Sequence, residues 1–209
     1  MFFSRMKQHH LNWHQAIAQF TMRRRALWLL LAVMATFVLV THQSVPMIDR
    51  DEARFSQASR QMAETGDVIT IRFLDELRAK KPAGIYWLQA GSASLFGKDD
   101  VASYRLPSLV GFLLTLTLVH FFSRSLFPSP AAPLQGFITA LILASGPMLQ
   151  AEALFAKTDS LLLASILCQQ FMLWQIYRDA ELKTSAAHWG GFWLALSASI
   201  LLKGPIGPL

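Results

Sequence analysis

From Ala26 to Thr41 the chain reads ALWLLLAVMATFVLVT, sixteen residues without a charge. A helix takes such a run through a bilayer, because lipid offers no hydrogen-bond partner to peptide groups left bare. Crossing needs about 20 apolar residues, which the flanking positions supply. Comparable runs recur at Leu106–Phe122, Leu134–Leu149, Ser160–Ile176 and from Trp189 onward. The pattern predicts an all-α polytopic membrane protein with about five transmembrane helices. Charged residues make up only 15% of the chain, against about a quarter in soluble domains. A secretory leader also begins with basic residues before an apolar run. No small-residue cleavage pattern follows Thr41, and further apolar runs do, so this run reads as a retained first span.

The charges set the orientation. Five Lys/Arg and no acid precede Ala26, the mark of a cytoplasmic flank. Arg124, Arg178 and Lys183 then fall on the same side, so residues 1–25 form a cytoplasmic basic segment and residues 46–105 an extracytoplasmic loop. The net charge of +6 does not indicate nucleic acid, since the basic residues follow the membrane flanks rather than one face of a domain. Phe2, Phe3, Trp13, Ile17 and Phe20 interleave with basic residues, as an interfacial helix requires. His10 and His14 have metal-ligand spacing, but no third ligand accompanies them, and a wet face on an interfacial helix is the better reading. Cys168 is the single cysteine and has no internal partner.

The loop holds nine of the thirteen acids and nine Lys/Arg. Asp49-x-x-Glu52 predicts a capping box, and Phe55, Ala58 and Met62 give the helix behind it an apolar stripe for the membrane surface. Gly66 stops that helix. Residues 68–73 are extended, Leu74–Lys81 turns, and Pro82 opens a second helix closed by Gly97. Tyr86 and Trp87 suit headgroup level. Asp51 and Glu52, beside Arg50 and Arg54, are either first-turn acids that favour the helix dipole or site carboxylates. Asp49 already fills the cap, which leaves Asp51 free for chemistry. Asp159, behind Thr158 at the head of the fourth span, has the same two readings. Lys80 and Lys81 either meet a phosphate as point charges or are solvated. Lys203 lies deep in an apolar segment and must snorkel or bind something.

An ordered set of short motifs runs through these positions: Asp51-Glu52-Ala-Arg54-Phe55, Gly66-Asp67, Lys81-Pro82 with Tyr86-Trp87, Arg105-Leu-Pro107, Lys157-Thr-Asp159 and Lys203-Gly-Pro205. With them, residues 26–209 resemble the N-terminal part of the aminoarabinose lipid A transferases, relatives of the dolichyl-phosphate-mannose protein mannosyltransferases. The resemblance implies a bacterial inner-membrane glycosyltransferase that takes a sugar from a polyprenyl-phosphate carrier and gives it to a lipid A, glycan or protein acceptor. It implies Asp51 and Asp159 as catalytic acids and Lys81 on the carrier phosphate. Lys80, Glu52, Arg54, Tyr86 and Lys203 join as substrate-binding residues. It calls for no definite cofactor and leaves a divalent metal open. Two departures stand out. The family's Glu-Lys-Pro is Lys80-Lys81-Pro82 here, which removes an acid near the sugar, and Phe55 replaces a common tyrosine.

The residue types suit the chemistry. A lipid phosphate is a ready leaving group, so the enzyme needs a carboxylate to deprotonate an acceptor and lysines to stabilise the departing charge. Asp51 and Asp159 are therefore expected to share one cavity, with carboxyls within about 15 Å, the reach of a common site. Two other classes remain open: a transporter with an Asp159/Lys203 ion site on broken helices, and a non-catalytic lipid-binding protein. The family has further spans and a soluble domain, so the 209-residue chain alone is expected not to turn over.

Overall fold

The computed structural model describes residues 24–178 and 186–208. The predicted interfacial helix with His10 and His14, and the loop at Lys183, lie outside them. The elements in order are α1 (Arg24–Ser44), α2 (Arg50–Thr65), β1 (Arg72–Phe73), β2 (Glu76–Leu77), α3 (Gly84–Phe96), α4 (Val101–Leu126), α5 (Ala132–Ala144), α6 (Pro147–Leu154), α7 (Asp159–Arg178) and α8 (Ala186–Lys203). A short 3₁₀ turn, Gly204–Ile206, follows α8.

Among the described residues, three helices are long and apolar enough to cross a membrane: residues Arg25–Ser44, Val101–Leu126 and Asp159–Arg178, with mean hydropathies of 1.8, 1.7 and 1.3. The third predicted span is not one helix. It breaks after Ala144, and α6 leaves α5 at 66°. Pro147 causes the break, because it has no N–H to donate and pushes Gly146 out of the helical region; Gly146 sits at φ −69, ψ 119. The bent pair still returns the chain across the bundle. Helix α4 starts beside the end of α1, where Arg105 bonds the His42 carbonyl, and Lys157, just past α6, is back there against Ser108. Helix α8 runs antiparallel along α7, with Gln169 donating to the Ala195 carbonyl and Lys203 meeting Asp159. Its His188, Gly190, Gly191 and Lys203 leave it less apolar than the other three.

Helix α4 is the axis of the bundle. Leu109, Phe112 and Leu116 pack with Leu27, Leu30, Leu31 and Val38 of α1, Ala140 and Ala144 of α5, and Leu149 and Ala153 of α6. Lipid is as apolar as leucine, so such helices associate through close packing rather than water exclusion. Gly111 shows how close: a Cβ there would lie 2.6 Å from the backbone nitrogen of Leu161.

Helices α2 and α3 form a cap on one end of this bundle. The stripe of Phe55, Ala58 and Met62 does not rest on lipid as expected. It is buried against Ile85, Tyr86 and Ala90 of α3, with Leu202 of α8 beneath. A neighbouring helix competes for the same apolar face and covers it completely. Gly66 ends α2 as predicted, in the left-handed region at φ 73. The extended and turning segments condense into a two-residue hairpin, Arg72 opposite Leu77 and Phe73 opposite Glu76. Its corner, Leu74, has φ 56, a costly conformation for a branched side chain. Gln61 holds it there, accepting from the Leu74 N–H at 2.8 Å and donating to its carbonyl at 3.0 Å.

Candidate functional site

The acid-bearing starts of α2 and α7 and the lysine end of α8 meet at the α2–α3 cap. Asp49 caps α2, its Oδ1 accepting from the backbone N–H of Asp51 at 2.8 Å and of Glu52 at 3.0 Å. With the cap filled, Asp51 projects into solvent, its side chain 63% exposed, with Arg54 3.8 Å away. It looks into a cleft of about 250 Å³ lined also by Arg54, Phe73, Glu76, Arg78, Lys80 and Lys81. Two acids, Asp51 and Glu76, thus share the cleft with two lysines from the segment before α3. The structure brings together Asp51, Arg54, Lys80 and Lys81, as the motif order predicted.

Two of the expected substrate contacts are instead internal locks. Glu52 is fully buried. Its carboxylate takes Arg105 Nε at 2.7 Å and Nη2 at 3.2 Å, and also the Ala156 N–H at 3.0 Å. The predicted return of Glu52 to the cap is therefore replaced, because a buried guanidinium is the stronger partner. Arg105, also fully buried, spends its other N–H groups on the carbonyls of His42 and Val45, both at 2.7 Å, and of Pro46 at 3.3 Å. Four segments close on this pair, and both side chains are shut off from solvent. Tyr86 is likewise buried; its hydroxyl accepts from Arg78 Nε at 2.7 Å, and its ring lies 5.5 Å from Phe55. Burial pushes its phenol pKa up, against the pull of Arg78. Arg78 also lies over Phe55 and Phe73, so Tyr86 fixes one wall of the cleft without lining it.

The second acid sits at the same end of the bundle. Asp159 is paired with Lys203, which answers what that lysine does in an apolar segment. Asp159 does not line the cleft that holds Asp51. Between the two acids stands a pair that the sequence reading did not assign, Lys157 to Asp49 at 2.9 Å. Lys157 also lies over the Phe155 ring, 5.1 Å from its centroid. The motif Lys157-Thr-Asp159 contains that lysine, two residues from the acid. Glu152 was also missed. It is an acid in an apolar stretch, its Oε2 is buried with no hydrogen-bond partner, and its charge is felt by Asp159, Lys157, Lys203 and Asp49.

The segment bearing Lys157 and Asp159 is held rigidly. Ala156 donates its N–H to Glu52 and its carbonyl accepts from Gln89 Nε2, at 3.0 Å each, and Gln89 Oε1 in turn accepts from Ser59 at 2.8 Å. Both peptide groups of one buried residue are thus satisfied by the cap. Helix α3 is registered as tightly: a Cβ on Gly84 would lie 2.6 Å from the Leu201 carbonyl oxygen. Since three residues span at most about 11 Å, Lys81 is held near the last turn of α8, two residues from Lys203.

The electrostatics follow from these contacts. The Glu52 N–H and then Lys157 hold the Asp49 carboxyl below the usual carboxylate range. Burial works against the Lys157 ammonium, but the hydrogen bond and charge of Asp49 prevail and raise its pKa. Among the described residues no three His, Cys, Asp or Glu side chains converge as a metal centre needs. What the arrangement offers is an open carboxylate next to two lysines, backed by a fixed ladder of ion pairs.

Residues 80–209 match the family model described as dolichyl-phosphate-mannose-protein mannosyltransferase, well over half of the chain. The chain belongs to this family. Within the mannosyltransferase family, its relatives include an undecaprenyl phosphate-alpha-4-amino-4-deoxy-L-arabinose arabinosyl transferase of Pseudomonas fluorescens, 26% identical over 88% of this chain. A transferase of the same description from Pseudomonas paraeruginosa is 27% identical over 88% of the chain. Among solved structures, the crystal structure of ArnT from Cupriavidus metallidurans bound to undecaprenyl phosphate superposes with a TM-score of 0.75, at 26% identity over 89% of this chain and 34% of that one. The apo form gives the same score at 27% identity, covering 86% of this chain and 33% of that one. This family member spans about a third of the length of the curated relatives it matches.

Proposed function

We propose that this chain supplies the carrier-binding and acid-bearing part of a glycosyltransferase that moves a sugar from a polyprenyl phosphate to a lipid acceptor. The reaction takes place at the extracytoplasmic face of the bacterial inner membrane, with the N-terminus cytoplasmic. The observation that carries this is the cleft in which Asp51 faces Lys80 and Lys81. In the reaction the acceptor hydroxyl loses its proton to Asp51 and attacks the sugar carbon, and the C–O bond to the carrier phosphate breaks. Lys81, helped by Lys80, stabilises the phosphate that leaves. A positioned base contributes about 10²–10⁴-fold, and ions fixed in advance on the leaving group act where charge develops. Asp159 and Lys203 brace the far side of the site. Relatives are described as using undecaprenyl phosphate, and the same class of carrier fits here. The loss of an acid at Lys80 leaves the sugar open.

The transporter reading loses its footing, because Asp159 and Lys203 neutralise each other at helix ends rather than lining a broken midplane site. The test has two arms. Undecaprenyl phosphate is titrated onto the chain in lipid discs, where Lys81→Ala is expected to weaken binding far more than Lys98→Ala, and Asp51→Asn to leave it intact. Residues 26–209 are then exchanged for the matching part of the Pseudomonas fluorescens relative and sugar transfer is measured. Asp51→Asn is expected to lower transfer by about 10²-fold or more. Carrier binding without any transfer would favour the non-catalytic lipid-binding reading, and binding indifferent to Lys81 would remove the phosphate assignment.

A further inference from the structure

The face of α2 turned away from α3 carries Arg50, Arg54, Gln57 and Arg60, three or four residues apart and so on one stripe. This stripe is one wall of a second groove, about 590 Å³, on the other side of Arg54 from the Asp51 cleft. Arg50, Arg54, Arg60 and Lys98 line it, with Asp99 the one acid, and Met47, Phe73 and Tyr104 add apolar surface. Asp99 is already held by Arg60 at 2.6 Å, which also pairs with Glu64 at 2.8 Å, and Lys98 donates to the Ala63 carbonyl at 2.7 Å. Arg50 makes no ion pair among the described residues. Ser56 stands in the same wall, 3% exposed, with a buried hydroxyl oxygen that has no hydrogen-bond partner. A wall of arginines with one free guanidinium calls for an anion.

The position of the groove says which anion. Met47 lies three residues past the end of α1, and Val101 is the first residue of α4. The groove therefore sits where two crossing helices leave the bilayer, at the depth of the lipid phosphates. Its only carboxylate is spent, so it binds without reacting. We infer that this groove is a resident site for an anionic bilayer phospholipid, whose headgroup lies along the arginine stripe from Arg50 to Arg60. The bound lipid seats the cap on the membrane surface and covers the outer face of α2 next to the Asp51 cleft.

The experiment is native mass spectrometry of the whole chain, released from micelles holding equal phosphatidylglycerol and phosphatidylcholine. Phosphatidylglycerol is expected to be retained roughly tenfold or more over phosphatidylcholine, given several basic residues at the headgroup level. Arg50→Gln with Arg60→Gln is expected to abolish the preference, and Arg50→Lys with Arg60→Lys to keep most of it. Lys80→Gln with Lys81→Gln is expected to keep it whole, which separates this site from the carrier phosphate. Helix content by circular dichroism checks folding; should the double variant misfold, Arg50→Gln alone decides, since Arg50 is exposed and unpaired. The inference falls if the two lipids are retained equally, or if the lysine pair costs as much as the arginine pair. It also falls if a phosphorylated glycolipid, and not phosphatidylglycerol, is the species that the arginines retain.

Discussion

Asp51 and Glu52 are neighbours in the chain, and their side chains live in different worlds. One is 63% exposed over a cleft with two lysines; the other is wholly buried against Arg105. A single step along a helix turns a side chain by about 100°, and that turn separates chemistry from architecture. The buried acid ties together α1, α2, α4 and the segment before α7. The exposed acid can stay open over the cleft because its neighbour fixes the backbone beneath it.

This contrast sets an order of expected losses in stability. Arg105→Ala should cost most, about 3–5 kcal/mol, because it leaves the Glu52 charge buried and alone. Thermal unfolding in detergent reads it, and a loss below 1 kcal/mol would mean that the two regions are not as different as they look. Gly84→Ala comes next, at about 1–3 kcal/mol, since the new methyl group meets a backbone carbonyl that has no rotamer to change. Gly91→Ala on the same helix, where a Cβ meets nothing within 4 Å, sharpens the point. It should stabilise by up to about 1 kcal/mol through helix propensity.

Asp49 is intermediate. Asp49→Asn keeps the cap but gives up the ion pair with Lys157, and its signature is in pH rather than size. The folded-state pKa of Asp49 lies below its unfolded value, near 3.9. The stability it contributes is thus present above that value and lost as pH falls through the lower folded-state value. Acid titration of the unfolding midpoint should show a shallower fall for Asp49→Asn than for the parent; identical curves would deny the pair with Lys157 any part. Last, Asp51→Asn should move stability by less than about 0.5 kcal/mol, read by the same melt. A loss as large as that of Arg105→Ala would place Asp51 among the structural acids.

Helix ends were legible because their signals are local. Asp49 and Gly66 bound α2 as read, and Gly97 closes α3. The apolar runs gave the crossings, and the order of motifs gave Asp51 beside Lys80 and Lys81. Three things were not legible, each for a long-range reason. The partner of Glu52 lies 53 residues away, so the capping box looked complete from within. The stripe of Phe55 and Met62 announces an apolar face but not what covers it. Ser145-Gly146-Pro147 did carry the break in the third span, yet the hydropathy of the run hid it. Asp159 was expected to open onto the cavity of Asp51, and the Asp49–Lys157 pair stands between them instead.

The contact of Gly84 with the Leu201 carbonyl reaches beyond stability. It joins backbone to backbone, so the spacing of the lysine segment from α8 does not depend on any side chain around the cleft. Under the proposed function, residues that face the sugar or the acceptor could be exchanged in the course of evolution while the lysine segment keeps its place. A backbone lock of this kind leaves the side chains around the cleft free to diversify.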